Sequence, residues 1–375
     1  MPYWRLSGFY FFYFASIGVL IPYWGLYLKS LGFTAAAIGS MMAIIMATKI
    51  ISPNVWGWIA DHTGKRMAIV RLGGLLSIIA FAGVFISQEY WWLVTVMMLF
   101  SFFWNATLPQ FEATTFSHLG EQTHRYSAVR LWGSVGFIVA VWIIGQELEA
   151  EKITLLPLIM MGLFISIWAS SLIVPEEAAG HLHLSDEPLR KVLKRPAVVA
   201  LLVVCFLMQM GHGPYYTFYS IYMQDFGYSL SAIGYLWALS VLAEVLIFMR
   251  MHKLVPRFGL KNLLIVSLLL ASSRWLIIAL FPLNLPVMIF AQVLHAASFG
   301  VYHAVAIQFI HQYFVAQHQG KGQALYSSTS FGAGGAIGSL YAAYTWDSLG
   351  TTPTFFIASA VSLIAAFIAY KKIPA

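Results

Sequence analysis

Continuous apolar runs of about 20 residues, the length needed to cross hydrocarbon as a helix, recur along this chain from beginning to end. Nothing else in the sequence narrows the fold so far. Within a bilayer only helices and closed barrels satisfy their own backbone polar groups. Barrel strands alternate polar and apolar residues, whereas these runs do not. The chain is 60% hydrophobic and 9% charged, against about 25% charged residues in an ordinary soluble domain. It therefore reads as an all-α integral membrane protein embedded in lipid.

Twelve transmembrane helices are expected, at 5–28, 36–60, 67–87, 90–117, 125–147, 154–174, 197–225, 230–250, 261–281, 285–314, 320–346 and 352–371. The longest polar stretch, 175–196, reads as a cytoplasmic linker between two six-helix bundles at 1–174 and 197–375. The formal charge of +7 does not point to nucleic acid, because 16 of the 21 Lys and Arg fall in same-side loops or at the termini. That bias places both termini on the cytoplasmic side. The one cysteine, Cys205, lies in an apolar run, so disulfides are not expected. The first run lacks a small-residue cleavage site and reads as an uncleaved span. The loops on the other face are too short for a catalytic domain. No enzyme activity, cofactor or metal is expected, and His181 and His183 lack the acids or cysteines that would complete a metal site.

The chain also echoes itself. Leu31–Gly39 (LGFTAAAIG) aligns without gaps on Phe226–Gly234 (FGYSLSAIG), an offset of 195 that carries Gly64 onto Gly259 and Arg66 onto Lys261. Between the second and third spans stands GWIADHTGKR, at 57–66. It resembles the signature of the major facilitator superfamily, Gly-x-x-x-Asp-x-x-Gly-x-Arg, with Gly57, Asp61, Gly64 and Arg66 at the named positions. The resemblance implies a fold of two pseudo-symmetric six-helix bundles, with a gating role for Asp61, Gly64 and Arg66. The bland alternative is that Asp61 only ends a helix. In the second half Pro256 replaces the acid, so any gate there must differ.

A charge at the bilayer centre costs ~2.5–3.5 kcal/mol even on lenient insertion scales. Lys49, Glu112, Arg130, Glu244 and Arg274 lie inside expected spans, with His212, His295 and His303 as titratable companions. Glu112 near the end of the fourth span and Arg130 near the start of the fifth reach similar depth, if the two helices are antiparallel neighbours. They form either a structural ion pair or a recognition pair, the planar fork of Arg130 suiting a carboxylate or sugar hydroxyls. Galactoside–proton symporters of the same superfamily carry an acid and an arginine in these two helices for substrate recognition. Glu244, Arg274 and His295 in consecutive spans resemble the proton-handling side of those symporters, but Ser298 stands where they have a further carboxylate. By that resemblance Glu244, Glu112 and His295 are the candidates for the proton. Lys49 occupies the position of Glu244 under the 195-residue offset and is too deep to snorkel easily. Tyr13 and Tyr216, near mid-span, are expected to wall a cavity.

Tyr126–Ser134, Tyr228–Trp237, Ala243–Phe248, Gln292–His295 and Gln323–Ser327 together resemble the phenylpropionate-permease-like branch of that superfamily. The branch is related to the galactoside and nucleoside symporters. The resemblance implies a bacterial inner-membrane, proton-coupled importer of a small organic solute, such as an aromatic carboxylate, working as a monomer. Arg130, Arg274 and Lys49 are then the residues for the anion. A sugar or nucleoside symporter is the alternative.

Overall fold

The computed structural model describes residues 1–148, 150–176, 189–314 and 318–374. His181 and His183 lie outside them. Seventeen α-helices are seen among the described residues: α1 Tyr3–Ser30, α2 Ala35–Thr63, α3 Arg66–Phe81, α4 Tyr90–Leu119, α5 Tyr126–Glu147, α6 Leu156–Leu172, α7 Leu189–Leu193, α8 Pro196–Gly211, α9 Gly213–Asp225, α10 Leu230–Phe248, α11 Met251–Phe258, α12 Leu260–Leu280, α13 Leu285–Val293, α14 Tyr302–Tyr313, α15 Gln319–Ser327, α16 Gly335–Ser348 and α17 Thr351–Lys372. Among the described residues, eleven helical stretches are long and apolar enough to cross a membrane. The remaining one, the eleventh expected span, is formed by α15 and α16 and opens on polar residues such as Lys321, Gln323 and Ser327.

Three expected spans are less regular than their hydropathy suggests. The tenth runs from α13 into α14 through a π-helical stretch, Ala296–Val301, and α15 joins α16 through another, Ser328–Gly334. Such bulges occur often at functional sites. The seventh is divided between α8 and α9 at His212, where Gly213 and Pro214 follow and Pro214 brings no backbone N–H.

The internal repeat survives in the backbone. Gly32 and Gly227 both adopt φ +85°, a left-handed conformation that costs glycine little. Their N–H groups bond equivalent carbonyls, Lys29 O and Gln224 O, at 2.9 Å. Thr34 then caps α2 by accepting from Ala37 N, and Ser229 caps α10 by accepting from Ala232 N. The copies part further on. α2 continues to Thr63 and ends at Gly64, φ +66°, whose N–H reaches Ala60 O at 2.8 Å. α10 stops at Phe248, and the short α11, which holds Pro256, follows after a turn.

The described chain forms two compact units, Met1–His181 with Ser229–Ala238, and Leu182–Tyr228 with Leu239–Ala375. In the first, α1 packs on α5 and α6, and α4 on α2 and α3. A Cβ on Gly136 would strike the Phe11 carbonyl, and one on Gly18 would sit 2.8 Å from the Phe137 oxygen. Small residues thus let α1 and α5 approach backbone to backbone. In the second unit α12 packs on α17, α8 on α17, and α9 on α16. There Gly334 and Gly338 meet the carbonyls of Phe206 and Met210, which accounts for the small-residue spacing of the eleventh expected span.

Candidate functional site

In the first unit α4 and α5 bring Glu112 and Arg130 together, beside rings of α1. Glu112 stands three residues after Pro109 in α4. Its Oε1 accepts a hydrogen bond from the Tyr126 hydroxyl at 3.1 Å and lies 4.0 Å from Arg130 Nε. Both Tyr126 and Arg130 belong to α5, one turn apart, so one helix face presents a phenol and a guanidinium to the same carboxylate. The side chains of Arg130 and Glu112 are 30% and 36% exposed. The pair is long for an ion pair and partly open to its surroundings.

The Arg130 guanidinium is held from below. Its central carbon lies 3.7 Å from the centre of the Phe14 ring and 5.6 Å from that of Tyr10, a cation–π arrangement. Gly133 makes the space, since a Cβ there would come within 2.6 Å of Arg130 Nη1 and 2.8 Å of the Phe14 ring. Among the described residues neither terminal nitrogen of Arg130 has a hydrogen-bond partner. The ring fixes the face of the fork while its outer donors stay uncommitted.

Lys49 sits on α2 beside Thr48. The Thr48 hydroxyl donates to Ser101 Oγ and accepts from Asn105 Nδ2, both at 2.9 Å, pinning this turn of α2 to α4. The Lys49 side chain is half-buried and makes no hydrogen bond or ion pair with a described residue. Tyr13 is buried in a stack, its ring 4.9 Å from Trp104 and 6.0 Å from Phe9.

The second unit holds a different kind of cluster. Arg274 of α12 is wholly buried, and its nitrogens are all engaged: Nε with Ala291 O at 2.8 Å, Nη1 with His295 Nδ1 at 2.9 Å, and Nη2 with Gln292 Oε1 at 3.2 Å. Tyr215 and Trp275 stack against it at 4.1 and 4.8 Å. Gln292 is shared further, accepting from Tyr215 at 2.8 Å and donating to Tyr219 at 2.6 Å. His295 Nε2 reaches Glu244 Oε1 at 2.7 Å. These contacts assign the tautomer. A guanidinium can only donate, so His295 Nδ1 accepts, and the proton on Nε2 is donated to the Glu244 carboxylate. Gly300, in the π-helical stretch, brings that segment close to α10 at Glu244.

Asp61 is 71% exposed and lies 3.6 Å from Arg66, across the turn made by Gly64. Tyr216 is half-buried and stacks on His212 with ring centres 5.6 Å apart. No group of three His, Cys, Asp or Glu side chains suited to a metal occurs among the described residues.

Sequence reasoning passed over Phe14, Tyr126, Gly133, Gln292 and the special position of His212. Two left a trace in the spacing: Tyr126 stands one turn from Arg130, and Gln292 one turn from His295. Phe14 and Gly133 left none, because their role depends on how α1 crosses α5.

The chain matches the family model described as "MFS_1 like family" over residues 3–357. It is 30% identical to a protein of Escherichia coli (strain K12) named "Probable 3-phenylpropionic acid transporter", over 99% of this chain and 98% of that one. It is 26% identical to a maltose permease of Geobacillus stearothermophilus, over 93% and 89%. Among solved structures, a mutant of the nucleoside transporter NupG superposes with a TM-score of 0.87 at 15% identity, covering 99% of this chain and all of that one. A bacterial homologue of the lysosomal transporter Spinster gives 0.76 at 14%, over 98% and 95%.

Proposed function

We propose, from the premise that this chain belongs to the MFS_1-like family of major facilitator transporters, that it imports a small organic anion, an aromatic carboxylate such as 3-phenylpropionate, in symport with protons. The observation that carries this reading is the surplus of unanswered positive charge in the first unit. Among the described residues the two terminal nitrogens of Arg130 are unengaged, Lys49 has no partner, and the acid beside Arg130 is Glu112, at 4.0 Å. A cation within an apolar span is costly unless something neutralises it, and a carboxylate cargo does so with geometry suited to the Arg130 fork. The name of the Escherichia coli relative supports the same class of cargo.

The proton belongs on Glu244 in this reading. His295 already accepts from Arg274 through Nδ1, so a second proton on the ring would face a guanidinium and break that bond. Glu244 can take a proton and still accept from His295. Arg274 then acts as the positioning residue of the relay rather than as a cargo ligand, because it is buried and each of its nitrogens is already engaged. The carrier works by alternating access as a monomer in the bacterial inner membrane, with both termini cytoplasmic and Asp61, Gly64 and Arg66 at its gate. The maltose permease relative favours one rival, a sugar symporter, because the Glu112–Tyr126–Arg130 group also suits hydroxyls.

Uptake into proteoliposomes of labelled 3-phenylpropionate, maltose and uridine under an imposed proton gradient tests the reading. Accumulation of the acid alone is expected. Failure of the acid beside uptake of either other solute rejects it.

A further inference from the structure

His212 lies outside the relay just described, yet it is built with unusual care. It stands at the break between α8 and α9, is wholly buried, and its Nδ1 is 2.8 Å from Met208 O. A carbonyl can only accept, so Nδ1 carries the hydrogen and Nε2 of the neutral ring is an acceptor. The backbone N–H of His212 also turns back to Met208 O, at 3.2 Å, which helps hold the ring in one orientation. Nε2 is buried and has no hydrogen-bond partner among the described residues.

Nearby donors are committed elsewhere. Trp275, 4.8 Å away between ring centres, donates to Ser362 Oγ. His295, at 6.2 Å, gives its proton to Glu244, and Arg274 has no free nitrogen. Phe299 offers only carbon. A buried acceptor without a donor costs free energy in every state that leaves it so. A phenyl ring would fill the same space without that cost.

We propose that His212 Nε2 is the acceptor for a hydroxyl or N–H group on the transported solute. The inference rests on the reading of the chain as a solute carrier, but not on the solute being an aromatic acid. A bare carboxylate has no donor to offer, so the cargo carries a polar hydrogen elsewhere on its body: a hydroxylated aromatic acid rather than a plain one, if the acid reading holds. Because His212 is enclosed, the donor reaches it when Tyr216, stacked on the ring and itself half-buried, swings aside. Tyr216 is thus a cover over the acceptor. A site that bonds a hydroxyl rejects the analogue lacking it far better than an apolar pocket rejects an added methylene.

The test uses matched pairs on the reconstituted full chain: 3-(3-hydroxyphenyl)propionate against 3-phenylpropionate, and uridine against its 2′,3′-dideoxy analogue. The wild-type protein is expected to favour the hydroxylated member of whichever pair it takes by roughly tenfold in half-saturation, the scale of one net hydrogen bond. His212→Phe should bring that ratio close to one, while His212→Gln, which keeps an acceptor, should retain part of it. Absence of preference in both wild-type pairs overturns the proposal, as does a preference that survives His212→Phe in protein of unchanged melting temperature. The wild-type comparison decides by itself if the Phe variant does not fold. Equal uptake of both aromatic acids would sink this inference and leave the acid reading standing. Preference confined to the nucleoside pair and lost in His212→Phe would do the reverse.

Discussion

The two arginines of the proposed carrier make opposite use of the same side chain. Arg130 rests on Phe14 with Tyr10 farther off, lies 4.0 Å from its acid and, among the described residues, keeps its outer nitrogens unengaged at 30% exposure. Arg274 is wholly buried between two aromatic rings with every nitrogen bonded inside its own unit. A guanidinium with donors to spare can recruit an anion. One enclosed, with each nitrogen already bonded, is suited to holding its neighbours in place. Charge within a span is therefore not by itself a sign of a ligand site; how far the protein has already satisfied it decides.

The sharpest way to break this contrast is to remove each arginine in turn. Arg130→Ala is expected to reduce kcat/KM for uptake by about 100-fold or more, the order of a lost charge-assisted bidentate contact, with a melting temperature near wild type. Near-normal uptake, read by initial rates in proteoliposomes, would remove Arg130 from the site.

Arg274→Ala should fail on the other axis. Taking one partner from a buried ionic network costs ~3–5 kcal/mol, so the variant should melt well below wild type in detergent. A stable Arg274→Ala protein with impaired solute binding would reverse the assignment of the two clusters.

Glu244→Gln sharpens the role of the second unit without removing its hydrogen-bond acceptor. Solute exchange should persist while solute-driven acidification of the vesicle lumen, followed with an entrapped dye, is lost. Acidification at the wild-type ratio would place the proton elsewhere.

The smallest effect is expected from Gly133→Ala. A Cβ there competes with Arg130 Nη1 and Phe14 for one space, displacing the guanidinium without removing its charge. Half-saturation should rise by roughly tenfold, equal to about 1.4 kcal/mol, with kcat little changed. Unaltered half-saturation would show that the Phe14 stack does not position Arg130.

Much of the architecture was legible in the residues. Helix length and apolar continuity are properties of local sequence, as are the caps Thr34 and Ser229 and the left-handed glycines 32 and 227, which recur 195 positions apart because the same turn is built twice. Membership of the superfamily was legible too, in a loop motif whose residues lie within ten positions of one another. The departures came where helices bend. A hydropathy run does not register the division at His212 or the π-helical stretches after His295 and Ser327, since these change hydrogen-bond partners and leave polarity alone.

The candidate site divides the same way. That Lys49, Glu112, Arg130, Glu244 and Arg274 sit within spans follows from the chain alone, because the cost of a charge in hydrocarbon depends on its neighbours along the helix. How far each is already satisfied within the protein was decided only by the fold. The engagement of Arg274, the openness of Arg130, the clearance supplied by Gly133 and the unmet acceptor on His212 each depend on ångström distances between helices far apart in sequence, which no local pattern encodes.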